Sequence, residues 1–116
     1  PDERIDPRNQ RAPRNKDHYA NLKAQAWFSL RARFENAYKK KMGREYDATH
    51  IISLPVDLPY LEQLQDELCQ PHKKESGTGK VLVDKQPDGA ASPNLADAVV
   101  MAFFPLSAKA SILDVL

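Results

Sequence analysis

Cysteine occurs once among the 116 residues, as Cys69, so no disulfide can close within the chain and a reducing compartment is the natural setting. Cys69 stands near the end of a predicted helix, where a small buried apolar role is expected. No helix start and no ordered histidine stands beside it, so a catalytic thiol is not expected. Histidine is equally sparse. His18, His50 and His72 are far apart, with no i, i+4 pair and no cysteine companion, which argues against a zinc site. No apolar stretch approaches the roughly 18 residues of a membrane span. The start, Pro1-Asp2-Glu3-Arg4, has neither an initiator methionine nor a basic-then-apolar leader, so the chain reads as a piece of something longer. A phosphate-binding Gly-x-x-x-x-Gly-Lys-Ser/Thr loop is also missing. Ser76-Gly77-Thr78-Gly79-Lys80 resembles one superficially, but it is too short and lacks a strand-to-helix context; it is expected to be a hairpin turn.

What is present suits one globular domain or part of one: 41% apolar and 28% charged residues, without repeats or low-complexity tracts. Net charge is only +1, but it is unevenly placed. Residues 1–45 hold twelve Lys/Arg against six Asp/Glu, while residues 46–71 hold five acids and no Lys or Arg. The basic first part is either a solvated helix face or a surface for an anionic partner such as DNA.

Residues 1–16 carry three prolines and one large aliphatic, Ile5, which predicts an irregular basic arm. A long helix is expected over residues 17–42, ended by Gly43. Tyr19, Leu22, Ala26, Trp27, Leu30, Phe34, Ala37 and Tyr38 recur at spacings of three and four. Ala20, Ala24, Phe28 and Ala32 form a second stripe, so this helix should pack between two layers. Lys23 and Arg33 interrupt the apolar arc and either reach a partner or snorkel, the second being favoured. An irregular stretch follows, with a short extended piece at residues 51–54. A second helix is expected over residues 58–70, with Leu61, Leu64 and Leu68 on one face and Pro71 closing it. A hairpin over residues 72–85 ends in the strand Val81-Leu82-Val83-Asp84. The last helix, residues 93–104, should have Ser92 as its N-cap and Pro93 at its first position. Nearly all its residues are apolar, which predicts burial on every side. Residues 106–116 form a mildly apolar tail.

Asp97 does not fit that helix. It is the only charge among Leu95, Ala96, Ala98, Val99, Val100, Met101, Ala102, Phe103 and Phe104. A buried, unpaired carboxylate is costly unless it is neutralised, paired or given a metal. The bland reading is an aspartate favoured by the positive end of the helix dipole. Against it, Asp97 lies five positions past Ser92, beyond the turn where that benefit is concentrated. From the residues alone both readings stand.

Ser92-Pro93-Asn94-Leu95-Ala96-Asp97-Ala98 resembles the Ser-Pro-x-x-Ala-Asp-Ala motif near the end of phage and prophage terminase large subunits, the DNA-packaging motor proteins. Two further stretches match in the same order. Asn21 to Arg31, with Ala24-x-x-Trp27 and Leu30-Arg31, resembles the family's helix with an Asn/Lys-rich start. Gly79-Lys80-Val81-Leu82-Val83-Asp84-Lys85 resembles its Gly-Lys-strand-Lys segment. The resemblance runs from about residue 15 to 105.

The resemblance implies an α/β ribonuclease-H-like nuclease domain, of which this chain is the C-terminal part, itself a helix-rich α+β piece with a short β-hairpin. It implies Asp97 as the last of the acids that bind divalent metal, Mg²⁺ or Mn²⁺ in a two-metal site. The family's other acids, and its ATPase domain, would precede Pro1. Lys85 and Lys80 are candidates for contacting DNA phosphates, the alternative being solvated edge-strand lysines. The implied function is metal-dependent endonuclease cutting of concatemeric double-stranded DNA during genome packaging, by an enzyme of which this piece alone should be inactive. Implied partners are double-stranded DNA, the portal protein and the small terminase subunit, in the cytoplasm of the bacterial host and with no membrane. A rival class is a non-catalytic DNA- or protein-docking module of a phage assembly protein, with the basic first part and the tail as working surfaces. An upstream strand bearing Asp, behind an ATPase domain, would discriminate the two.

Overall fold

The pattern expected to give one helix over residues 17–42 is divided in the computed structural model, which describes residues 3–6 and 8–104. A single turn, α1 (Asn15–His18), precedes the long helix α2 (Leu22–Lys41). Between them Tyr19 is extended and forms an isolated parallel bridge with Val81, and the Ala20 N–H donates to the Val81 carbonyl at 2.9 Å. Tyr19 therefore leaves the helical stripe to bind the strand beside it, and its ring packs on Phe28 with centroids 5.7 Å apart. Asn21 restarts the helix as its N-cap: the backbone is extended, and the side-chain oxygen accepts from the Ala24 N–H at 2.9 Å. Asn21→Ala is expected to cost about 1 kcal/mol of stability, read as a lower denaturant midpoint with an unchanged slope.

The arm before α1 folds back on itself. Arg4 bridges Arg14, the Asn15 N–H donates to the Glu3 carbonyl at 2.7 Å, and the Arg4 guanidinium donates to the Ala12 carbonyl at 2.6 Å. Several of its backbone groups thus find partners within the arm, although the segment has no regular period. At the other end of α2, Gly43 takes φ +70, and the Arg44 N–H reaches back to the Lys39 carbonyl at 2.8 Å. That left-handed closure is what the glycine permits.

The two stripes of α2 are used unequally. Ala24, Ala26, Trp27 and Leu30 are buried, and the helix lies against both α4 and β2. Tyr38, on the same period, is 56% exposed. Arg33 does not snorkel. Its guanidinium donates to the Ile51 carbonyl at 3.0 Å and lies over the Phe103 ring, 5.4 Å from the centroid. Asn36 donates to the His50 carbonyl and accepts from the Asp47 N–H, while the His50 ring bonds the Ser29 carbonyl. These side chains strap residues 47–51 onto α2. Residues 51–54 are not a strand, but Ile52 is buried.

α3 (Leu61–Cys69) starts later than its pattern suggested, after Tyr60 in a left-handed conformation at φ 59. It buries Leu64 and packs on α4. Cys69 is exposed, contrary to its expected buried role. It borders an open apolar groove of about 520 Å³ with Trp27, Phe28, Phe34, Leu68 and Val83. The hairpin pairs β1 (His72–Glu75) antiparallel to β2 (Val81–Asp84), with His72 opposite Asp84 and Glu75 opposite Val81. β1 is exposed throughout; β2 turns Val81 and Val83 inward. The turn is closed by Ser76, whose hydroxyl accepts from the Thr78 and Lys80 N–H groups, with Gly79 at φ +78. It is a hairpin turn and not a phosphate cradle.

After a one-turn 3₁₀ segment at Pro87–Gly89 comes α4 (Asn94–Phe103). Pro93 is its cap residue and no cap side chain bonds the helix; Ser92 contributes only its carbonyl, which accepts from Asn94. α4 is not buried on every side. Ala96, Asp97 and Val100 are inside, whereas Asn94, Ala98 and Ala102 form an exposed stripe. The core joins Ala24, Ala26, Trp27, Leu30, Ile52, Leu64, Val83, Ala96 and Val100, so the inner face of the helix bearing the odd aspartate is part of it. Residues 105–116, including the expected tail, lie outside the described residues.

Candidate metal-binding carboxylate and its lysine partner

Asp97 is the fourth residue of α4, so it lies in the first helical turn and not beyond it. The cap falls at Pro93, one residue later than the Ser-Pro pattern implied, which brings the carboxylate within reach of the positive helix end. Its backbone N–H donates to the Pro93 carbonyl at 2.8 Å. Packing of Ala96 and Val100 into the core drives the Asp97 side of α4 inward, and the residue is 7% exposed.

The structure brings one of the two candidate lysines to it. Lys85 follows directly on β2, and its Nζ donates to Oδ1 at 2.9 Å and to Oδ2 at 3.0 Å. Both side chains are about nine-tenths buried, at 10% and 9% exposure. Lys85 is therefore neither a solvated edge-strand lysine nor an open phosphate contact in this structure. It is the counter-charge of Asp97. Such a pair is tolerated in a core only because both carboxylate oxygens are met at hydrogen-bond distance; either charge alone would remain largely desolvated. Lys80 lies elsewhere. Its Nζ donates to the Lys16 carbonyl at 3.0 Å, which ties the hairpin turn to α1.

Asp84 is the other acid close in sequence to Lys85, and it faces away. Its carboxylate meets Lys74 across the hairpin at 3.0 Å and accepts from the Gln86 N–H at 3.0 Å. The Lys74 ammonium, with help from that N–H, holds the carboxyl below the usual carboxylate range. Among the described residues no group of three or more His, Cys, Asp or Glu is placed to hold a metal ion. The hard oxygens of Asp97 suit Mg²⁺ or Mn²⁺, but one carboxylate does not make a site. Neither Asp97 nor Lys85 lines the apolar groove beside Trp27.

Two residues around the pair gave no signal in the sequence. Glu67 on α3 accepts from the Leu95 and Ala96 N–H groups at 2.8 and 3.3 Å. Gln70 donates through one amide nitrogen to the Lys85 carbonyl at 2.6 Å and the Ala91 carbonyl at 2.7 Å. On an exposed amphipathic helix, a glutamate and a glutamine read as ordinary surface residues.

No protein-family model and no curated protein matches the chain. Solved structures do. The nuclease domain of the large terminase subunit gp2 of bacterial virus Sf6 superimposes with a TM-score of 0.73 at 29% identity, over 85% of this chain and 47% of that one. A lysine-to-alanine variant of that domain with calcium gives 0.71 at 30% identity, over 84% and 46%. A variant with manganese and beta-thujaplicinol gives 0.74 at 28% identity, over 91% and 51%. The fold is thus that of a ribonuclease-H-like nuclease domain, present here as a helix-rich piece with a two-stranded hairpin. Within that class, the structures it resembles are nuclease domains of a bacteriophage large terminase subunit, and the chain spans about half their length.

Proposed function

We propose that this chain supplies Asp97 to the divalent-metal centre of a terminase nuclease that cuts concatemeric double-stranded DNA during genome packaging. The carrying observation is the buried carboxylate in the first turn of α4, the one charge in that helix, met on both oxygens by a cation. The likeness to a nuclease domain solved with manganese and with calcium supports the choice of a divalent ion, Mg²⁺ or Mn²⁺. Bound in pairs, such ions activate a water and stabilise the leaving oxygen of a phosphodiester. This chain's own groups would hold and orient. Asp97 provides hard oxygens on a helix fixed by Ala96 and Val100, and Lys85 provides a cation for a DNA phosphate once Asp97 is otherwise engaged. Lys80, tied to α1, is a weaker candidate for the same DNA. The remaining acids and an ATPase domain would lie outside this chain. Portal protein and small terminase subunit would be partners, in the host cytoplasm.

One carboxylate cannot hold two ions, so the isolated chain is expected to leave supercoiled plasmid uncut in Mn²⁺. The intact protein should nick it, and EDTA should stop the reaction. Nicking by the rigorously purified chain that Asp97→Ala abolishes would show that the chain carries a complete site. Failure of the intact protein to cut with any divalent ion would overturn the nuclease reading.

A further inference from the structure

We propose that Glu67 and Gln70, on the last turn of α3 and at its cap, are positioning residues that set the approach of Lys85 to Asp97. This rests on the reading of Asp97 as a metal-binding carboxylate. The two groups lie on different elements, twelve positions apart, and the connection between them holds only the single 3₁₀ turn at Pro87–Gly89. A connection of that kind does not by itself fix an ion pair at 2.9 and 3.0 Å.

α3 grips it at both ends. The Gln70 side-chain nitrogen uses its two hydrogens on two carbonyls, those of Lys85 and Ala91, and so closes the loop between them. One turn back, Glu67 Oε1 accepts from Leu95 and Ala96, the two amides that immediately precede Asp97. The first amides of a helix have no partner within it and are ordinarily met by a Ser, Thr, Asp or Asn at the cap. Pro93 has no such acceptor. A carboxylate from a neighbouring helix takes its place, where the helix dipole also favours it. Glu67 is held in turn by Gln63, whose amide donates to Oε2 at 3.0 Å. A shift of α3 against α4 therefore moves the backbone on both sides of the Lys85–Asp97 contact together, and a fixed α3 keeps that contact in register.

The test compares Glu67→Ala, Glu67→Gln, Gln70→Ala and Gln70→Glu in the intact protein, reading the Mn²⁺ concentration that gives half-maximal plasmid nicking and, without DNA, Mn²⁺ affinity by titration calorimetry. Groups that orient metal ligands typically change affinity by about 10–100-fold. Glu67→Ala and Gln70→Ala are expected to raise the half-activating Mn²⁺ by about tenfold, with a smaller change in rate at saturating Mn²⁺. Glu67→Gln retains an acceptor oxygen for Leu95 and Ala96 and should recover most of the shift. Gln70→Glu turns a donor to two carbonyls into an acceptor, and should be at least as damaging as Gln70→Ala. Should the alanine variants fail to fold, the Glu67→Gln and Gln70→Glu pair carries the comparison. A lowered melting temperature with an unmoved Mn²⁺ dependence would overturn the positioning role. Asp97→Asn separates the two ideas: if it abolishes nicking while no α3 variant shifts the Mn²⁺ dependence, the positioning role alone fails. If Asp97→Asn cuts normally, the metal reading itself fails.

Discussion

Asp97→Asn in the intact protein is expected to lower metal-dependent DNA cleavage by roughly a thousandfold, since several kilocalories per mole of charge stabilisation pass through the ion it would hold. ATP hydrolysis, in a separate domain under this reading, should survive. The substitution has a second consequence that must be separated from the first. Asparagine presents one oxygen and one N–H₂ to Lys85, so an ammonium at 10% side-chain exposure loses its carboxylate. Removing one member of a buried pair commonly costs about 3–5 kcal/mol. Part of the lost cleavage could then come from unfolded protein. Combining Lys85→Met with Asp97→Leu removes both charges and should restore stability to near the parent value, because apolar replacements of buried pairs are often neutral. Cleavage should stay absent in that double variant. Melting curves and both activities, measured on one preparation, check the argument. Recovery of cleavage with recovery of stability would show that Asp97 is structural.

Trp27→Ala is expected to destabilise the chain by about 3–5 kcal/mol, the usual range for truncating a large buried aromatic. Trp27 is 7% exposed and sits in the core with Ala24, Leu30, Val83 and Val100. Its ring also borders the groove beside Phe28 and Leu68, so relaxation into that space would place the cost toward the lower end. A domain of this size has only about 5–15 kcal/mol of stability in total. The variant should therefore unfold at much lower urea with a similar slope, which equilibrium denaturation followed by circular dichroism would read. A loss of DNA affinity at unchanged stability would instead make Trp27 a base-stacking residue.

Period and punctuation in the sequence determined the local elements: the stripes of α2, the Gly43 stop, the hairpin around Ser76 and Gly79, and the single charge in α4. Each is a short-range effect, decided by side chains within a few positions of one another. The aspartate could be singled out for the same reason, since an apolar run makes its one charge conspicuous. Tertiary contacts decided the rest. Tyr19 has helical spacing, yet it lies extended because β2 offers it a backbone partner. Arg33 looks like a solvated interruption, yet a carbonyl from a later loop and the ring of Phe103 hold it inside. Lys85 reads as a candidate for a DNA phosphate or as an edge-strand lysine, and only the packing of α4 on the long helix and on α3 brings a carboxylate to it. Glu67 and Gln70 leave no sequence signal at all, because what defines them is backbone atoms 15 to 29 positions away. Hydrogen bonds across that separation have no period; they exist only once the core has set where α3 and α4 lie.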